Sequence, residues 1–185
     1  MRLKQFTKKQ LRWDLYSRFL KLIDKGFETE AMLLMLSTWN FARFRYAIRS
    51  FNVDQFEKTL DNLKPLFRKI QKENFKTINF DSYSKDIKRI FNALAKIKGI
   101  EKTGAPKLMH LKAPKVFVMW DTKIRKYYGF NTGDAGEYIE FLKLMQKKFR
   151  SQKSLPDRSL AKLIDENNYN RITLPALEKS RPPKI

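Results

Sequence analysis

Apolar residues recur at three- and four-residue steps through most of the 185-residue chain, which is the spacing of one face of an α-helix. The first such stretch predicts an amphipathic helix over residues 7–24 and carries Leu11, Leu15, Phe19 and Leu22. Gly26 follows it and is expected to end the helix. Because alternation with a period of two is almost absent, the sequence predicts an all-α fold.

A second helix is expected from about Glu28, and it is apolar almost all round, which is typical of a central buried helix. Further helices are predicted over residues 41–51, 54–71, 81–97, 106–112, 136–149 and 160–167. Pro65 is expected to kink or split the helix over 54–71. We expect one domain over residues 1–174, built from two helical subdomains with a cleft between them, and a mobile polar tail over 175–185.

The charge of the chain favours a polyanionic partner. Lys and Arg number 40 against 19 Asp and Glu, a formal net charge of +21, and such an excess neutralises phosphates and releases their counterions. The charge alone leaves DNA, RNA and an anionic membrane surface open. The absence of cysteine excludes disulfides, iron–sulfur clusters and cysteine-type zinc sites. With no 18-residue apolar run and no signal peptide, we expect an intracellular protein, cytoplasmic and nucleoid-associated or nuclear.

Residues 97–130 carry the strongest functional signal. They predict a helix, a turn at Gly99, a second helix, and then an apolar loop that leads to Asp121 at the start of another helix. The segment resembles the helix-hairpin-helix core of the endonuclease III type DNA glycosylases, whose pattern is Leu-Pro-Gly-Val-Gly-x-Lys-Thr-Ala followed by Pro-x-x-Val-Asp-Thr-x-Val-x-Arg. The matching positions are Ile97, Gly99, Ile100, Ala105, Pro114, Asp121, Thr122, Ile124 and Arg125.

The resemblance implies a helix-hairpin-helix motif over about residues 87–112 that grips the DNA backbone. Main-chain N–H groups at such a turn, and at the next helix N-terminus, face phosphates. The residues expected to contact DNA here are Lys98, Gly99, Lys102, Thr103 and Gly104. The chain departs from the family pattern at the turn, because Lys98 replaces a proline and Glu101 replaces the second glycine.

Asp121 is the expected catalytic residue. It follows five apolar residues, so its carboxylate is predicted at the rim of a dry pocket. Base excision needs a carboxylate there, either to activate water or to stabilise positive charge on the sugar. Asp-Thr is also a common helix start, so Asp121 is expected to act as an N-cap as well.

Bifunctional members of the family also attack the sugar with a lysine on the second hairpin helix. Without gaps, that position falls on Thr103, which implies base removal only. A shifted alignment takes Gly104 as the second glycine, starts the helix at Pro106 and puts Lys107 in the first turn, where the helix dipole favours a neutral amine. Both alignments remain open, Lys102 is a weaker candidate, and Lys107 could equally contact a phosphate.

Residues 33–43 resemble the segment that wedges into the duplex in endonuclease III and 8-oxoguanine DNA glycosylases. The resemblance implies that Trp39 and Asn40 fill the gap left by a flipped base and that Arg43 contacts the opposite base. The alternative is that Trp39 is a core residue between helices.

Candidates for the base pocket are Trp120, Phe117 and His110, and Trp120 and Phe117 could equally be core residues. The resulting hypothesis is a monomeric DNA N-glycosylase, without metal or cofactor, that removes a damaged or mismatched base from double-stranded DNA and has a possible AP lyase step. The alternatives are a non-catalytic helix-hairpin-helix DNA-binding protein and a basic helical RNA-binding protein.

Overall fold

The computed structural model describes residues 11–179, and within them the chain is helical and forms no β-strand, so the all-α prediction is confirmed. The α-helices of this part are α1 (Leu11–Asp24), α2 (Glu28–Trp39), α3 (Phe41–Ala47), α4 (Val53–Ile70), α5 (Ser84–Ala95), α6 (Glu101–Lys112), α7 (Thr122–Tyr127), α8 (Ala135–Phe149), α9 (Leu160–Asn168) and α10 (Leu174–Lys179). A 3-10 turn, Ile48–Ser50, follows α3, and a π-helical turn, Tyr169–Thr173, joins α9 to α10. Within residues 11–179, no helix is long and apolar enough to cross a membrane.

The centre of the core is α6, and the prediction that α2 takes this place is wrong. Every residue of α6 from Gly104 to Leu111 is buried, whereas Leu34 in α2 is exposed. The reason is that α6 packs against α5 on one side and α2 on another, while α2 lies between α6 and α1. Polar residues such as the buried Lys107 and His110 make α6 look too polar in sequence for a central helix, which conceals its position.

Pro65 neither splits α4 nor ends it. The helix runs from Val53 to Ile70 through the proline, although proline lacks the N–H that an interior helical position donates. Burial of a long apolar face on both sides of the proline offsets that loss. The buried residues of this face are Phe56, Leu60, Leu63, Leu66, Phe67 and Ile70.

The helix α6 begins at Glu101 and not at Pro106, so the shifted alignment of the hairpin is wrong. Pro106 therefore lies inside α6, where it cannot donate to the carbonyl of Lys102. That carbonyl instead accepts a hydrogen bond from the indole Nε1 of Trp120, at 3.0 Å. The proline thus frees an acceptor that connects α6 to the apolar loop before Asp121.

The C-terminal part of the described chain also differs from prediction. Residues Leu174–Lys179 form α10, where a tail had been predicted from residue 175, and residues 180–185 lie outside the described part. The π-helical turn before α10 contacts α7, so the end of the chain returns to the helix that follows Asp121.

The turn between α5 and α6 is set by Gly99, which has a φ of +90°. A Cβ on this residue would lie 2.5 Å from the Cβ of Ala47, so the turn approaches α3 more closely than any side chain allows. Gly99 is therefore required both for its backbone conformation and for its contact with α3.

We predict that Gly99→Ala lowers the free energy of unfolding by at least about 2 kcal/mol, because strained backbone and a steric clash add together. Gly26→Ala is the matched control, since Gly26 has a φ of +88° but no atom within 4 Å of the added Cβ. Gly26→Ala should lower the free energy of unfolding only through backbone strain, by about 1 kcal/mol. Urea unfolding of the three proteins measures the difference, and equal losses in the two variants would contradict the close approach.

Candidate functional site

A cavity of about 630 Å³ lies among the C-terminal end of α2, the start of α3, α6, the start of α7 and the π-helical turn. The structure brings many of the predicted residues together on its walls: Trp39, Asn40, Arg43, Thr103, Lys107, Trp120 and Asp121. The other predicted residues do not line it: Lys98, Gly99, Lys102, Gly104, His110 and Phe117. Residues far apart in sequence therefore share one concave surface, which is the usual form of a small-ligand site.

Asp121 lies half-buried at the rim of this cavity, and both of its carboxylate oxygens accept hydrogen bonds. Oδ1 accepts from the backbone N–H of Ile124 at 2.8 Å, so Asp121 is the N-cap of α7 as predicted. Oδ2 accepts from the hydroxyl of Thr173 at 2.6 Å. Each carboxylate oxygen has a second lone pair, so the group can still accept from a water or a substrate.

Thr173 was not predicted as a site residue. It is buried in the π-helical turn, and π-helical turns occur frequently at functional sites. It lies 52 positions after Asp121, and no local pattern in the sequence marks it. Only the packing of the turn against α7 brings its hydroxyl to the carboxylate.

Lys107 lies in the second turn of α6, and the prediction that it occupies the first turn of that helix is wrong. Its side chain is buried with 7% exposure, and Nζ donates to the carbonyl of Trp39 at 2.6 Å and to Oδ1 of Asn40 at 3.2 Å. These oxygens lie at the C-terminal end of α2, where the helix dipole favours a cation. The contacts stabilise the charged ammonium and not the neutral amine that a nucleophile needs.

Asn40 is a structural link and not a side chain free to enter DNA. It is only 4% exposed, and Nδ2 donates to the carbonyl of Gly99 at 2.7 Å and to that of Ile100 at 3.3 Å. Because Oδ1 accepts from Lys107, one amide joins the end of α2, the turn after α5 and the interior of α6.

Trp39 is partly buried, so it packs against the core and also lines the cavity, and its role in DNA stays a prediction. Its ring stacks on Tyr16 with centroids 6.2 Å apart and meets the edge of Phe19 at 5.4 Å. The ammonium of Lys162 lies 4.9 Å from the ring centroid, and the same ammonium pairs with Asp165 at 2.7 Å. Asp165 lines the cavity, so a buried ion pair lies behind Trp39 that the sequence did not predict.

Arg43 is exposed at the cavity and pairs with Glu101, with Nη1 to Oε2 at 2.5 Å. Glu101 has a φ of +52°, a conformation that non-glycine residues adopt only rarely. The ungapped alignment puts the second family glycine at this position. Glu101 thus has a positive φ, which glycine adopts most readily, at the position of that glycine.

Gly104 is inside α6, so the prediction of a turn glycine at this position is wrong. A Cβ on Gly104 would lie 3.0 Å from Nδ2 of Asn40 and 3.3 Å from Cδ2 of Leu36. The missing side chain lets α6 approach α2 closely. Gly99 faces α3 in the same way, whereas Lys98 and Lys102 are exposed at the turn.

The predicted base-pocket residues are core residues. Trp120 packs against Tyr138 and Phe141, at centroid distances of 5.0 Å and 5.2 Å, and only part of it reaches the cavity. Phe117 and His110 are fully buried away from it, so their assignment to the pocket is wrong. The apolar residues 116–120 are buried in the interior of the fold, and the Asp121 carboxylate lies at the edge of this buried region.

His110 is held as a neutral imidazole. Nδ1 lies 2.5 Å from the carbonyl of Phe117, to which it donates, and Nε2 lies 2.8 Å from the hydroxyl of Tyr16, from which it accepts. Burial, with a smaller effect of the nearby Lys162 ammonium, lowers the pKa of His110 to about 4. The ring therefore stays uncharged across the physiological pH range.

Comparison with known protein families identifies a match. A family described as "Family of unknown function (DUF6308)" matches residues 45–173, which include the turn at Gly99, Lys107, Asp121 and Thr173. No curated protein and no solved structure matches the chain.

The burial of His110 predicts a pH dependence of stability. The unfolded chain binds the proton near pH 6.5 and the folded chain only near pH 4, so stability is lost as the pH falls through this window. The expected loss from this group between pH 7 and pH 4 is about 3 kcal/mol. Urea unfolding at a series of pH values measures it, and His110→Gln should remove most of the dependence between pH 6.5 and 5. The same slope in both proteins would contradict the assignment.

Proposed function

The chain belongs to a family of unknown function, DUF6308, and we propose that it is a DNA N-glycosylase, which removes a damaged or mismatched base from double-stranded DNA. The observation that carries the proposal is the shared cavity, where Asp121 meets Thr103, Lys107 and Arg43. A cavity of about 630 Å³ is large enough for an extruded base. The resemblance implies the same arrangement, with an acid from a helix start facing the second hairpin helix.

The turn between α5 and α6 supports a DNA contact of the helix-hairpin-helix type. Lys98 and Lys102 are exposed on either side of the turn, and the first N–H groups of α6 follow it. Such N–H groups and cations together bind phosphate. With a formal charge of +21, the chain has the electrostatic character of a protein that binds a nucleic acid.

In the proposed reaction Asp121 acts on water and on the sugar. Water adds its hydroxyl to C1′ of the deoxyribose, and its remaining proton passes to Asp121. The N-glycosidic bond breaks with its electron pair on the base, which takes up a proton from solvent. The Asp121 carboxylate also faces the positive charge that develops on the sugar, and the buried residues 116–120 beside it lower the local dielectric. The Ile124 and Thr173 hydrogen bonds hold the carboxylate in place for both roles.

Water, and not a lysine, is the proposed nucleophile. The family lysine position falls on Thr103, and Lys107 is bound as an ammonium at the end of α2. An amine held by acceptors in its charged form is a poor nucleophile. Lys107 instead joins the cavity wall to the hairpin turn through Asn40.

A non-catalytic DNA-binding protein is the second candidate. The observation that favours it is that both oxygens of Asp121 already bind donors of the protein, as those of a purely structural cap would. The two candidates share the hairpin and the charge, and they differ only in whether a base is released.

We predict that Asp121→Asn abolishes base release, by at least about 10²-fold, while affinity for duplex DNA changes little. Asparagine is as good an N-cap as aspartate, so α7 should still form. The measurement is strand cleavage by hot alkali after incubation with duplexes that carry a panel of damaged and mismatched bases.

Asp134→Asn is the matched control, because Asp134 also caps a helix, α8, with its side chain accepting from the N–H of Glu137, and does not line the cavity. It should retain base release. If the wild-type protein binds duplex DNA but releases no base from any duplex, the non-catalytic candidate is the correct one.

We also predict that borohydride traps no covalent protein–DNA adduct on a duplex whose base is released, since no Schiff base forms. Lys107→Gln should still release base but unfold more easily, by about 1–3 kcal/mol, because buried acceptors lose their donor. Lys102→Gln, at an exposed lysine of the same helix, is the control for stability. An adduct that forms with the wild type and is lost in Lys107→Gln would overturn the water mechanism.

A further inference from the structure

A second cavity, of about 590 Å³, lies between the N-terminal half of α4 and the C-terminal part of α5. We call it the α4–α5 groove. It shares no lining residue with the cavity around Asp121. One end of it reaches Lys98, beside Gly99 in the hairpin turn.

The α4 wall of the groove is polar and uncharged. Its residues are spaced at three and four positions, so that they form one stripe along the helix: Asn52, Gln55, Thr59 and Asn62. The side-chain amides of Gln55 and Asn62 make no hydrogen bond within the described part of the chain. They are therefore available to both donors and acceptors of a ligand.

The opposite wall is cationic. Arg89 and Lys96 lie on one face at the C-terminal part of α5 and just beyond it, and Lys98 continues the line into the turn. No carboxylate of residues 11–179 pairs with any of these cations, and the groove has no acidic lining residue. By contrast Lys69, on the far half of α4, is paired with Asp86.

The floor between the walls is apolar. Phe56 and Leu63 are buried there, and Phe51 is half-buried with its ring edge-on to Phe56 at 5.5 Å. A groove with an apolar floor, an amide wall and a cationic wall matches three features of a nucleotide, which are the flat face of its base, the polar edges of that base and its phosphate.

We propose that the α4–α5 groove binds an unpaired nucleotide of a DNA strand, with the phosphate on Arg89 and Lys96 and the base between the floor and the amides of α4. A strand is favoured over a free nucleotide because Lys98 belongs both to the groove and to the turn. A backbone that passes the turn can therefore continue into the groove. The inference rests on the DNA contact of the proposed function but requires no base release.

The test compares two pairs of variants in binding to a labelled oligothymidylate, measured by fluorescence anisotropy over a range of salt concentrations. In Arg89→Gln/Lys96→Gln the affinity should fall about tenfold, and the magnitude of the salt slope by about 0.7, since the two cations hold one phosphate and single strands lose about 0.7 per phosphate contact. Lys85→Gln/Lys88→Gln removes the same charge from exposed positions of α5 outside the groove and should change the affinity less than threefold, by the same reasoning.

The second pair places a carboxylate opposite the cations or away from them. Asn62→Glu faces the groove and should weaken strand binding about tenfold, whereas Ser82→Glu, exposed before the start of α5 and outside the groove, should have an effect of less than about threefold. Both positions are exposed, so neither change alters a buried contact. Equal effects within either pair would overturn the groove assignment.

Competition identifies the occupant. Thymidine monophosphate, at the same nucleotide concentration, should displace the strand far less well than unlabelled oligothymidylate, and equal displacement would overturn the choice of a strand. A blunt duplex should lose little affinity in Arg89→Gln/Lys96→Gln. Base release from a blunt duplex tests Asp121 independently, so failure of the groove and failure of the proposed glycosylase are distinguishable.

Discussion

The arrangement of the site depends on the hydrogen bonds that the Lys107 ammonium donates. The ammonium lies inside the fold and binds the last carbonyl of α2 and the side chain of Asn40, whose amide in turn binds the turn after α5. An unpaired buried charge costs several kcal/mol, so these partners stay together. The missing side chain of Gly104 allows the approach of α6 to α2 that brings them within reach. The cavity wall and the hairpin turn are therefore parts of one rigid junction.

Asp121 depends on a second junction, formed by α7 and the π-helical turn. The carboxylate caps α7 and accepts a hydrogen bond from the hydroxyl of Thr173, so the position of the acid is set by the helix that follows it and by the last residue of the matched family region. Trp120, the residue before it, is anchored to the carbonyl that Pro106 leaves free. Residues of both junctions line the same cavity, and this shared surface is the basis of the proposed base excision.

Sequence reasoning was most reliable for features that neighbouring residues determine. The helical spacing, the end of α1 near Gly26 and the N-cap at Asp121 all follow from short patterns, and each is present. It was wrong about the start of α6, because Pro106 is a common first residue of a helix and the strained turn carries Glu101 instead of glycine. It also assigned Phe117 and His110 to a pocket, because the sequence does not show which side chains near Asp121 and Lys107 point into the core and which point into the cavity.

The sequence by itself determined that the chain is helical, strongly basic and carries an acid at a helix start behind an apolar run. Tertiary structure decided that Lys107 is a bound cation, that Asn40 is a link, that Thr173 holds Asp121, and that the cations Arg89 and Lys96 border a groove. The physical reason is the separation along the sequence over which each interaction acts. Helix periodicity and capping act over three or four residues, whereas burial and the choice of a hydrogen-bond partner depend on segments more than fifty positions away.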